Sequence, residues 1–413
     1  MQVFGPPPLR DERSTVQGDV DGIAQGSREV GAGVCSHNSN STRKTNGYIP
    51  LVQAQPPASD TDLLSLTPQA SEARLRDWLI QRDEPGYRLE QMAARLWQRP
   101  VASWSDATEL PVALRLALEQ AFPLTRLELA AHQESTDGTE KFLWKLGDGE
   151  AIESVLIPEG KRRTLCISSQ VGCALGCMFC ATGRMGFRRN LSAAEIAGQV
   201  REIVLRRPHD KPTNVVFMGM GEPLLNWPAV ATALTILNAP QGLGIGARHV
   251  TVSTVGILPA LAELAQRTEQ FRLAVSLHAP TSERRLDLMP IEKKYPLPDL
   301  LKALGQFERR ITLEYVLIAG KNDAPEDADQ LAKLALPLGA LVNLLPLHPG
   351  GAPELTPSSR NTMMEFERRL KAKGVNAVLR KSRGLDISAA CGQLRVEVEA
   401  RGKVRTKEHA HIE

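Results

Sequence analysis

Residues 164–346 alternate between short apolar runs rich in Val, Ile and Leu and longer segments with helical periodicity. The runs are TLCISS (164–169), NVVFMG (214–219), HVTVST (249–254), RLAVSL (272–277), TLEYVLI (312–318) and LVNLLP (341–346). Between them lie segments such as SAAEIAGQVREIVLR, in which Ser192 and Glu195 form a capping box. Strands that alternate with helices pair in parallel through crossovers. The sequence therefore predicts an α/β protein with a parallel sheet, arranged as an open doubly wound sheet or as a barrel.

The regions around these strands differ in composition. Residues 1–70 are rich in Gly, Pro, Ser, Asn and Thr without sustained periodicity, and we expect a disordered extension there, with Cys35 as an incidental thiol. Residues 71–135 carry Leu, Trp and Met at intervals of three and four, which predicts a small helical accessory domain. We expect residues 136–400 to form the barrel core with a C-terminal cysteine segment, and residues 401–413 to be a basic tail.

Composition narrows the class of protein. The chain has 413 residues, 42% of them apolar, and a formal net charge of +3, so a globular protein is expected and charge alone does not indicate a nucleic-acid binder. We find neither a long uncharged apolar stretch nor a basic segment leading into an apolar one at the amino terminus. A cytoplasmic monomer without a membrane span is therefore expected. In a reducing compartment, clustered cysteines indicate a metal or redox site.

Polar residues recur at the carboxyl ends of the predicted strands. Three cysteines follow the first strand, GMGE (219–222) follows the second, Ser253 and Thr254 end the third, Ser276 and His278 end the fourth, and Asn343 lies near the end of the sixth. In open α/β sheets and in barrels, these ends gather on one side of the sheet, where ligands bind. The sequence therefore predicts one cavity lined by these residues.

The cysteines Cys173, Cys177 and Cys180 have the spacing C-x3-C-x2-C. Three thiolates on one tight loop can hold a cubane iron–sulfur cluster and leave one iron without a protein ligand. A structural zinc site needs four ligands, and no second C-x2-C or nearby His pair supplies them. A thioredoxin-like C-x-x-C would leave Cys173 unexplained. The spacing favours the cluster.

At these residues the sequence resembles the radical S-adenosylmethionine (SAM) superfamily. The segments TLCISSQVGCALGCMFCATGRMGFRRNL, NVVFMGMGEPLLN, AVSLHAP, PIEKKY and RGLDISAACGQL together resemble the dual-specificity adenine methyltransferases that act on 23S rRNA and tRNA. The resemblance runs from about residue 72 to about residue 400. It implies a partial (β/α)6 radical SAM barrel with one [4Fe-4S] cluster, bound by Cys173, Cys177 and Cys180, and SAM on the free iron.

The resemblance also implies a reaction. Carbon 2 of adenine is too electron-poor to attack the methyl group of SAM, but a carbon radical can add to it. In this family one SAM methylates a cysteine, here Cys391, and a second SAM yields the radical that activates the methyl group for addition to adenine. Glu153 is then the base that removes the ring proton. Cys166 is the thiol that attacks the Cys391 sulfur and releases the RNA, which implies a disulfide between the two cysteines.

The resemblance also implies binding residues and partners. SAM contacts fall on Gly221, Glu222, Ser253, Ser276, Leu277, His278 and Asn343. The expected partners are 23S rRNA, tRNA and an external electron donor of the flavodoxin type. RNA phosphates are expected to meet local basic groups, which are Lys161 with Arg162 and Arg163, Arg184 with Arg188 and Arg189, Lys293 with Lys294, Arg380 with Lys381 and Arg383, and the tail from Arg401 to Lys407.

Two alternatives stay open at the level of sequence. The first is the related carbon-8 adenine methyltransferase, which shares the cluster and both additional cysteines. The second is a non-catalytic RNA-binding protein with a structural zinc. Nucleoside mass spectrometry separates the two methyltransferases, and the metal content of anaerobically purified protein separates both of them from the zinc protein.

Overall fold

The computed structural model describes residues 61–348, 352 and 354–394, all of which fall in one compact unit. Its α-helices are α1 (Pro68–Ile80), α2 (Arg88–Ala94), α3 (Val112–Ala121), α4 (Ala181–Met185), α5 (Ala193–Arg206), α6 (Trp227–Asn238), α7 (Leu258–Ala265), α8 (Ser282–Leu288), α9 (Leu297–Leu304), α10 (Pro325–Ala335) and α11 (Arg360–Ala372). Its strands are β1 (Glu128–Glu134), β2 (Glu140–Lys145), β3 (Ala151–Glu159), β4 (Arg162–Cys166), β5 (Gln170–Gly172), β6 (Phe187–Asn190), β7 (Asn214–Phe217), β8 (Val250–Thr254), β9 (Arg272–Ser276), β10 (Ile311–Leu317), β11 (Leu341–Pro346) and β12 (Asn376–Leu379).

The helices α1 to α3 lie where the periodicity predicts helices. Thr67 caps α1, since its Oγ1 accepts a hydrogen bond from the Ala70 amide, and Pro68 occupies the first turn. The expected disorder of residues 1–70 is wrong at its described end, because Leu63 and Leu64 are buried in the core just before α1. Residues 1–60 and the basic tail at 401–413 lie outside the described residues.

Three antiparallel strands, β1 to β3, precede the parallel ones and were not predicted. Strand β1 pairs with β2, β2 with β3, and β3 with β4. Because β1 lies within residues 71–135, the expectation that this range is a helical domain is wrong at its end. The boundaries between the expected domains otherwise stay predictions.

The six predicted strands correspond to β4 and β7 to β11, and they pair in parallel in the order of the chain. A doubly wound sheet reverses its strand order at a switch point, whereas a barrel does not. The sequential order therefore selects the barrel, and the partial (β/α)6 barrel is confirmed. Strand β12 adds to β11, and in the described part of the chain β1 and β12 each pair on one side only, so the sheet stays open.

The crossover helices cover the sheet as the periodicity predicts. In α5 the predicted capping box is present: Ser192 Oγ accepts from the Glu195 amide at 3.1 Å, and Glu195 Oε2 accepts from the Ser192 amide at 2.8 Å. Ile196 and Val200 on this helix are buried in the core. No described helix is long and apolar enough to cross a membrane.

Candidate active site

A cavity of about 170 Å³ lies at the carboxyl ends of the parallel strands. The predicted site residues that line it are Cys173, Cys177, Cys180, Gly221, Glu222, Ser253, Ser276, His278 and Cys391. The predicted residues outside this lining are Cys166, Glu153, Leu277 and Asn343. The structure thus brings most of the predicted residues to one place, while their roles stay predictions.

The three clustered cysteines lie on the loop between β5 and α4. Gly172, at φ +73°, lets this loop fold back, since a Cβ there would lie 1.9 Å from the Gly186 carbonyl oxygen. That oxygen instead accepts a hydrogen bond from the Cys173 amide at 3.0 Å. Burial raises the pKa of the Cys173 thiol to about 12 and raises the pKa of Cys177 well above its usual value. A metal bound here would oppose this shift, since thiols bind metals as thiolates.

The donor set fits an iron–sulfur cluster. Among the described residues, no three His, Cys, Asp or Glu side chains are grouped as ligands of one metal ion would be. In a cubane cluster each thiolate binds a different iron, so the cysteines lie further apart than ligands of one zinc ion. Three thiols from one loop, all lining the cavity, meet this requirement and leave one iron for a small molecule.

Glu222 follows β7 and is 3% exposed. Its Oε1 accepts from the Leu224 amide and its Oε2 from the Val255 amide, each at 3.0 Å. Burial raises the pKa of this carboxyl group to about 7, although hydrogen bonds from Thr254 and from the two amides oppose the shift. The carboxyl group is thus fixed toward the cavity, with a charge that changes near neutral pH.

The neighbouring Gly221 has φ +97°, and a Cβ there would lie 2.6 Å from the Cβ of Gln170. The Gln170 side chain in turn accepts from the Glu222 amide at 2.9 Å. The glycine therefore allows the loop after β7 to approach the cysteine loop closely.

His278 follows β9 with φ +57°, an uncommon conformation for a residue other than Gly. Its Nδ1 accepts a hydrogen bond from the Val316 amide at 3.1 Å, and the ring meets Phe179 edge-on. Burial, together with the charge of Arg285, lowers the pKa of the imidazole to about 3. The ring is therefore neutral at physiological pH, with its proton on Nε2.

Ser276, Glu314 and Asn343 stand in one row across β9, β10 and β11. Glu314 is buried, lines the cavity and accepts a hydrogen bond from Asn343 Nδ2 at 3.0 Å. Asn343 thus reaches the cavity wall through Glu314. Leu277 is fully buried, and its amide donates to the Glu314 carbonyl oxygen, so it contributes backbone and shape.

Cys391 is exposed where it lines the cavity, yet the surrounding protein raises the pKa of its thiol by desolvation, which Arg380 opposes. Cys166 is buried at the end of β4, and desolvation likewise raises its pKa. A negative charge on Cys391 would raise the pKa of Cys166 further, so the two thiols lie within electrostatic range of each other. Both are free thiols in the structure, so the implied disulfide is not present.

Glu153 lies in β3, where it is buried and not an exposed strand-edge carboxylate. The Lys141 ammonium group lies 3.3 Å from its Oε1. Glu153 and Val155 share one face of β3, and Val155 is the direct partner of Cys166. The carboxylate is therefore on the Cys166 side of the sheet, although it does not line the cavity.

Several basic residues predicted to contact RNA have acidic partners. These pairs are Arg162 with Glu159, Arg163 with Asp210, Arg184 with Glu354, Arg189 with both Asp148 and Glu195, and Arg383 with Asp137. In the part of the chain described here, no ion pair is found for Lys161, Arg188, Lys293, Lys294, Arg380 or Lys381. Apart from Arg380, which lines the cavity, these side chains are better suited to phosphate contact than the paired ones.

Sequence reasoning missed Glu314 and placed Arg380 among RNA contacts, whereas the structure places both in the cavity lining. A signal for Glu314 was available, because it is the one ionisable residue in the interior of the apolar run TLEYVLI apart from the Tyr hydroxyl. A buried carboxylate in a strand interior needs a partner or a function.

Comparisons with known proteins agree with this geometry. The model of the Radical SAM superfamily matches residues 167–335, from the end of β4 through α10. A radical SAM methyltransferase structure from Sphaerobacter thermophilus is 42% identical, with a TM-score of 0.76, and the match covers 81% of this chain and 99% of that one. The fold and the cysteine loop thus define a radical SAM enzyme.

Related proteins indicate to which family of radical SAM enzymes the chain belongs. The probable dual-specificity RNA methyltransferase RlmN of Gemmatimonas aurantiaca is 55% identical over 352 residues, which are 85% of this chain and 98% of that protein. The enzyme of the same name from Anaeromyxobacter sp. is 47% identical over 326 residues, 76% of this chain and 86% of that protein. The chain belongs to the RlmN-type family of radical SAM dual-specificity RNA methyltransferases.

Proposed function

We propose that this chain methylates carbon 2 of one adenine in the peptidyl-transferase region of 23S rRNA and of the adenine next to the anticodon in certain tRNAs. The observation that carries methyl transfer through a cysteine is the meeting of an exposed thiol, Cys391, with the three-cysteine loop at one cavity, within electrostatic range of the buried thiol Cys166. The choice of carbon 2 over carbon 8 rests on the resemblance of GMGEPLLN and AACGQL to the carbon-2 enzymes. A zinc-binding RNA protein has no use for two further thiols there.

Cys173, Cys177 and Cys180 would hold the [4Fe-4S] cluster, and SAM would bind against Gly221, Glu222, Ser253, Ser276, His278 and Asn343. When bound, the cluster and two molecules of SAM per turnover supply a methyl group and a radical, with electrons from a flavodoxin-type donor. The polar groups on this wall are suited to the ammonium, carboxylate and hydroxyl groups of SAM. Glu222 can accept from an ammonium group, and neutral His278 can donate through Nε2.

Cys391 would carry the methyl group and form the new carbon bond to the adenine. Because Cys391 is exposed in the cavity, an adenine that has flipped out of its RNA stack can reach the thiol. Glu153 would remove the ring proton. Cys166 would then attack the Cys391 sulfur, so that a disulfide forms between the two cysteines while the bond from that sulfur to the methylene carbon breaks. The carbon would keep the electron pair and take a proton to become the methyl group, and an external thiol reductant would return the disulfide to two thiols. Burial keeps Cys166 protonated at rest, so its attack requires a base or the nearby positive charge of Arg380, which lowers its pKa.

The test is anaerobic reconstitution with iron and sulfide, followed by incubation with SAM, a reductant and either tRNA or a 23S rRNA fragment. Wild type is expected to yield 2-methyladenosine by nucleoside mass spectrometry. Cys391→Ala is expected to keep its iron and to transfer no methyl group. Cys35→Ala is the matched control, expected to behave as wild type.

Three outcomes contradict the proposal. Formation of 8-methyladenosine would assign the chain to the carbon-8 reaction. Colourless protein that contains zinc would favour the RNA-binding alternative. Full methyl transfer by Cys391→Ala would remove the cysteine from the reaction.

A further inference from the structure

The segment that carries Cys391, residues 384–394, is held at its beginning by the turn between β1 and β2, residues 135–139. Asp386 Oδ1 accepts a hydrogen bond from Ser135 Oγ at 2.6 Å, and Asp386 Oδ2 accepts from the Thr136 amide at 3.1 Å. These hydrogen bonds, that of Ser135 first, lower the pKa of the Asp386 carboxyl group. The carboxylate is therefore ionised at neutral pH, and both hydrogen bonds are charge-assisted.

A second carboxylate, Asp137, lies on the turn and accepts a hydrogen bond from the segment. Asp137 Oδ2 accepts from the Gly384 amide at 3.1 Å, while Asp137 Oδ1 accepts from the Thr139 amide at 2.9 Å. Burial alone would raise the pKa of Asp137, but the hydrogen bonds from Thr139 and Gly384 lower it to about 2. Gly384 has φ +61°, and a Cβ there would lie 2.9 Å from Thr139 Cγ2, so the backbones meet closely. Turn and segment thus hold each other by two reciprocal acid–amide contacts.

The end of the segment is anchored to the first residues of α4, which follow the cysteine loop. The amide of Ala181, the residue after Cys180, donates to the Gly392 carbonyl oxygen at 2.8 Å. The hydroxyl of Thr182 donates to the Leu394 carbonyl oxygen at 2.6 Å. Cys391 therefore lies between two anchors, one on α4 and one on the β1–β2 turn.

We infer that the β1–β2 turn positions the Cys391 thiol at the cavity, and that Ser135, Asp137 and Asp386 are positioning residues for the reaction of Cys391. Without the hydrogen bonds to the turn, the beginning of the segment is released and can move relative to its end, which stays anchored on α4 and packed through Leu394. The Cys391 thiol must meet both a methyl donor and an adenine. When its segment moves, the effective concentration of the thiol at these two partners falls. The catalytic consequence rests on the proposed role of Cys391 as the methyl carrier, whereas the positioning itself does not.

The test compares Asp386→Ala with wild type in the full chain, reconstituted anaerobically with iron and sulfide. The first readout is the rate at which iodoacetamide alkylates Cys391, measured by peptide mass spectrometry in the absence of SAM. We expect Asp386→Ala to raise this rate about tenfold, because a segment that moves away from the protein hydrates the thiol, relieves the desolvation that raises its pKa and so increases the reactive thiolate fraction. The second readout is the methyl occupancy of Cys391 after incubation with SAM, which we expect to fall while the iron content stays unchanged.

Two further variants separate positioning from a general loss of structure. Ser135→Ala removes the partner hydroxyl and is expected to raise the alkylation rate in the same direction, with less than additive effects in the double variant. Asp386→Asn can accept from the Thr136 amide and donate to Ser135 Oγ, so it is expected to restore most of the protection. The matched control is Glu159→Ala, a carboxylate at the β3–β4 turn whose ion pair is with Arg162.

The positioning inference is overturned if Asp386→Ala and Ser135→Ala alkylate and methylate at Cys391 as wild type does. It is also overturned if Glu159→Ala gives the same increase. If the alkylation rate responds as expected but wild type never methylates Cys391, the positioning stands and the proposed function fails.

Discussion

Asn343 donates a hydrogen bond from Nδ2 to Oε1 of Glu314 at 3.0 Å, and the two residues are direct partners in the register of β10 and β11. Asn343 turns its Nδ2 toward the carboxyl group of Glu314, whose pKa is raised by burial although the hydrogen bond from Asn343 opposes the shift. The Asn343 carbonyl oxygen is then left for other partners. The pair suits a ligand that donates hydrogen bonds, such as a hydroxyl or ammonium group.

Glu314→Gln tests this pair. Glutamine can turn either its oxygen or its nitrogen toward Asn343, so the orientation of the amide is no longer fixed. We expect the dissociation constant of SAM to rise about tenfold, the equivalent of one hydrogen bond, with the iron content unchanged. Calorimetric titration of the reconstituted protein measures the constant. Glu308→Gln, an exposed carboxylate ahead of β10, is the control, and an unchanged affinity in Glu314→Gln would show that the pair plays no part in binding SAM.

Cys177→Ser tests the cluster ligands. Cys177 is buried in the cavity wall, and a serine hydroxyl is a poor ligand for iron in a sulfur cage. We expect the variant to lose most of its iron and visible absorbance after reconstitution. Cys166→Ser, which changes a buried thiol outside the loop, is expected to retain the iron. Equal iron contents in the two variants would contradict the assignment.

The raised pKa of Glu222 predicts how the free energy of unfolding depends on pH. Its pKa is about 7 in the folded chain against 4.5 for the free group, so the unfolded chain loses this proton first. The contribution of Glu222 to the free energy of unfolding therefore falls as pH rises from about 4.5 to about 7, by up to about 3 kcal/mol, and stays constant above that range. Glu222→Gln should remove this fall, as measured by urea unfolding at about pH 5 and about pH 8.

The comparison must be between variant and wild type at each pH, because His278 acts in the opposite direction. Its pKa is lowered to about 3, so its contribution to stability is lost as pH falls from about 6.5 toward 3. His278 is present in both proteins, and its effect cancels in the difference. A difference between the two proteins that does not vary with pH would show that Glu222 does not titrate in this window.

Arg188 and Arg189 are adjacent but should respond differently to substitution. Arg188 is exposed and has no ion pair among the described residues, whereas Arg189 binds Asp148 and Glu195. We expect Arg188→Glu to weaken tRNA binding and to reduce the salt dependence of the affinity by about one unit of slope. We expect Arg189→Glu mainly to lower the unfolding temperature. Fluorescence anisotropy at several salt concentrations and thermal unfolding measure the two effects.

Arg368→Glu is the control for this pair of variants. Arg368 is an exposed arginine on α11 that pairs with Glu365. It should change RNA affinity less than Arg188→Glu does. Equal losses from both would indicate that net charge, and not the surface beside the cysteine loop, governs RNA binding.

The parallel strands could be predicted closely from the sequence because their signal is local. Each of the six runs overlaps an observed strand, and LVNLLP matches β11 at both ends. The antiparallel strands β1 to β3 were missed because their apolar residues are interleaved with charged ones. For example, EKFLWK in β2 has only three consecutive apolar residues, Phe142 to Trp144, flanked by charged ones, and so short a run fits several local structures.

Site residues that belong to one local motif could be predicted from the sequence. Site residues that meet only through the pairing of strands could not. The cysteine loop and GMGE stand out by spacing alone. Glu314 became a site residue only when the register placed it beside Ser276 and Asn343. The contact between Ser135 and Asp386 joins two polar residues that are individually ordinary, and no local pattern relates them.

That contact spans 251 positions of the chain. Loop closure over such a distance is slow and is favourable only after the intervening strands have paired. The β1–β2 turn forms early in synthesis, but its partner emerges only after the seven parallel strands of the large sheet. We therefore expect the sheet to assemble before Cys391 is fastened in place, so that the cysteine loop stays uncovered while the strands pair.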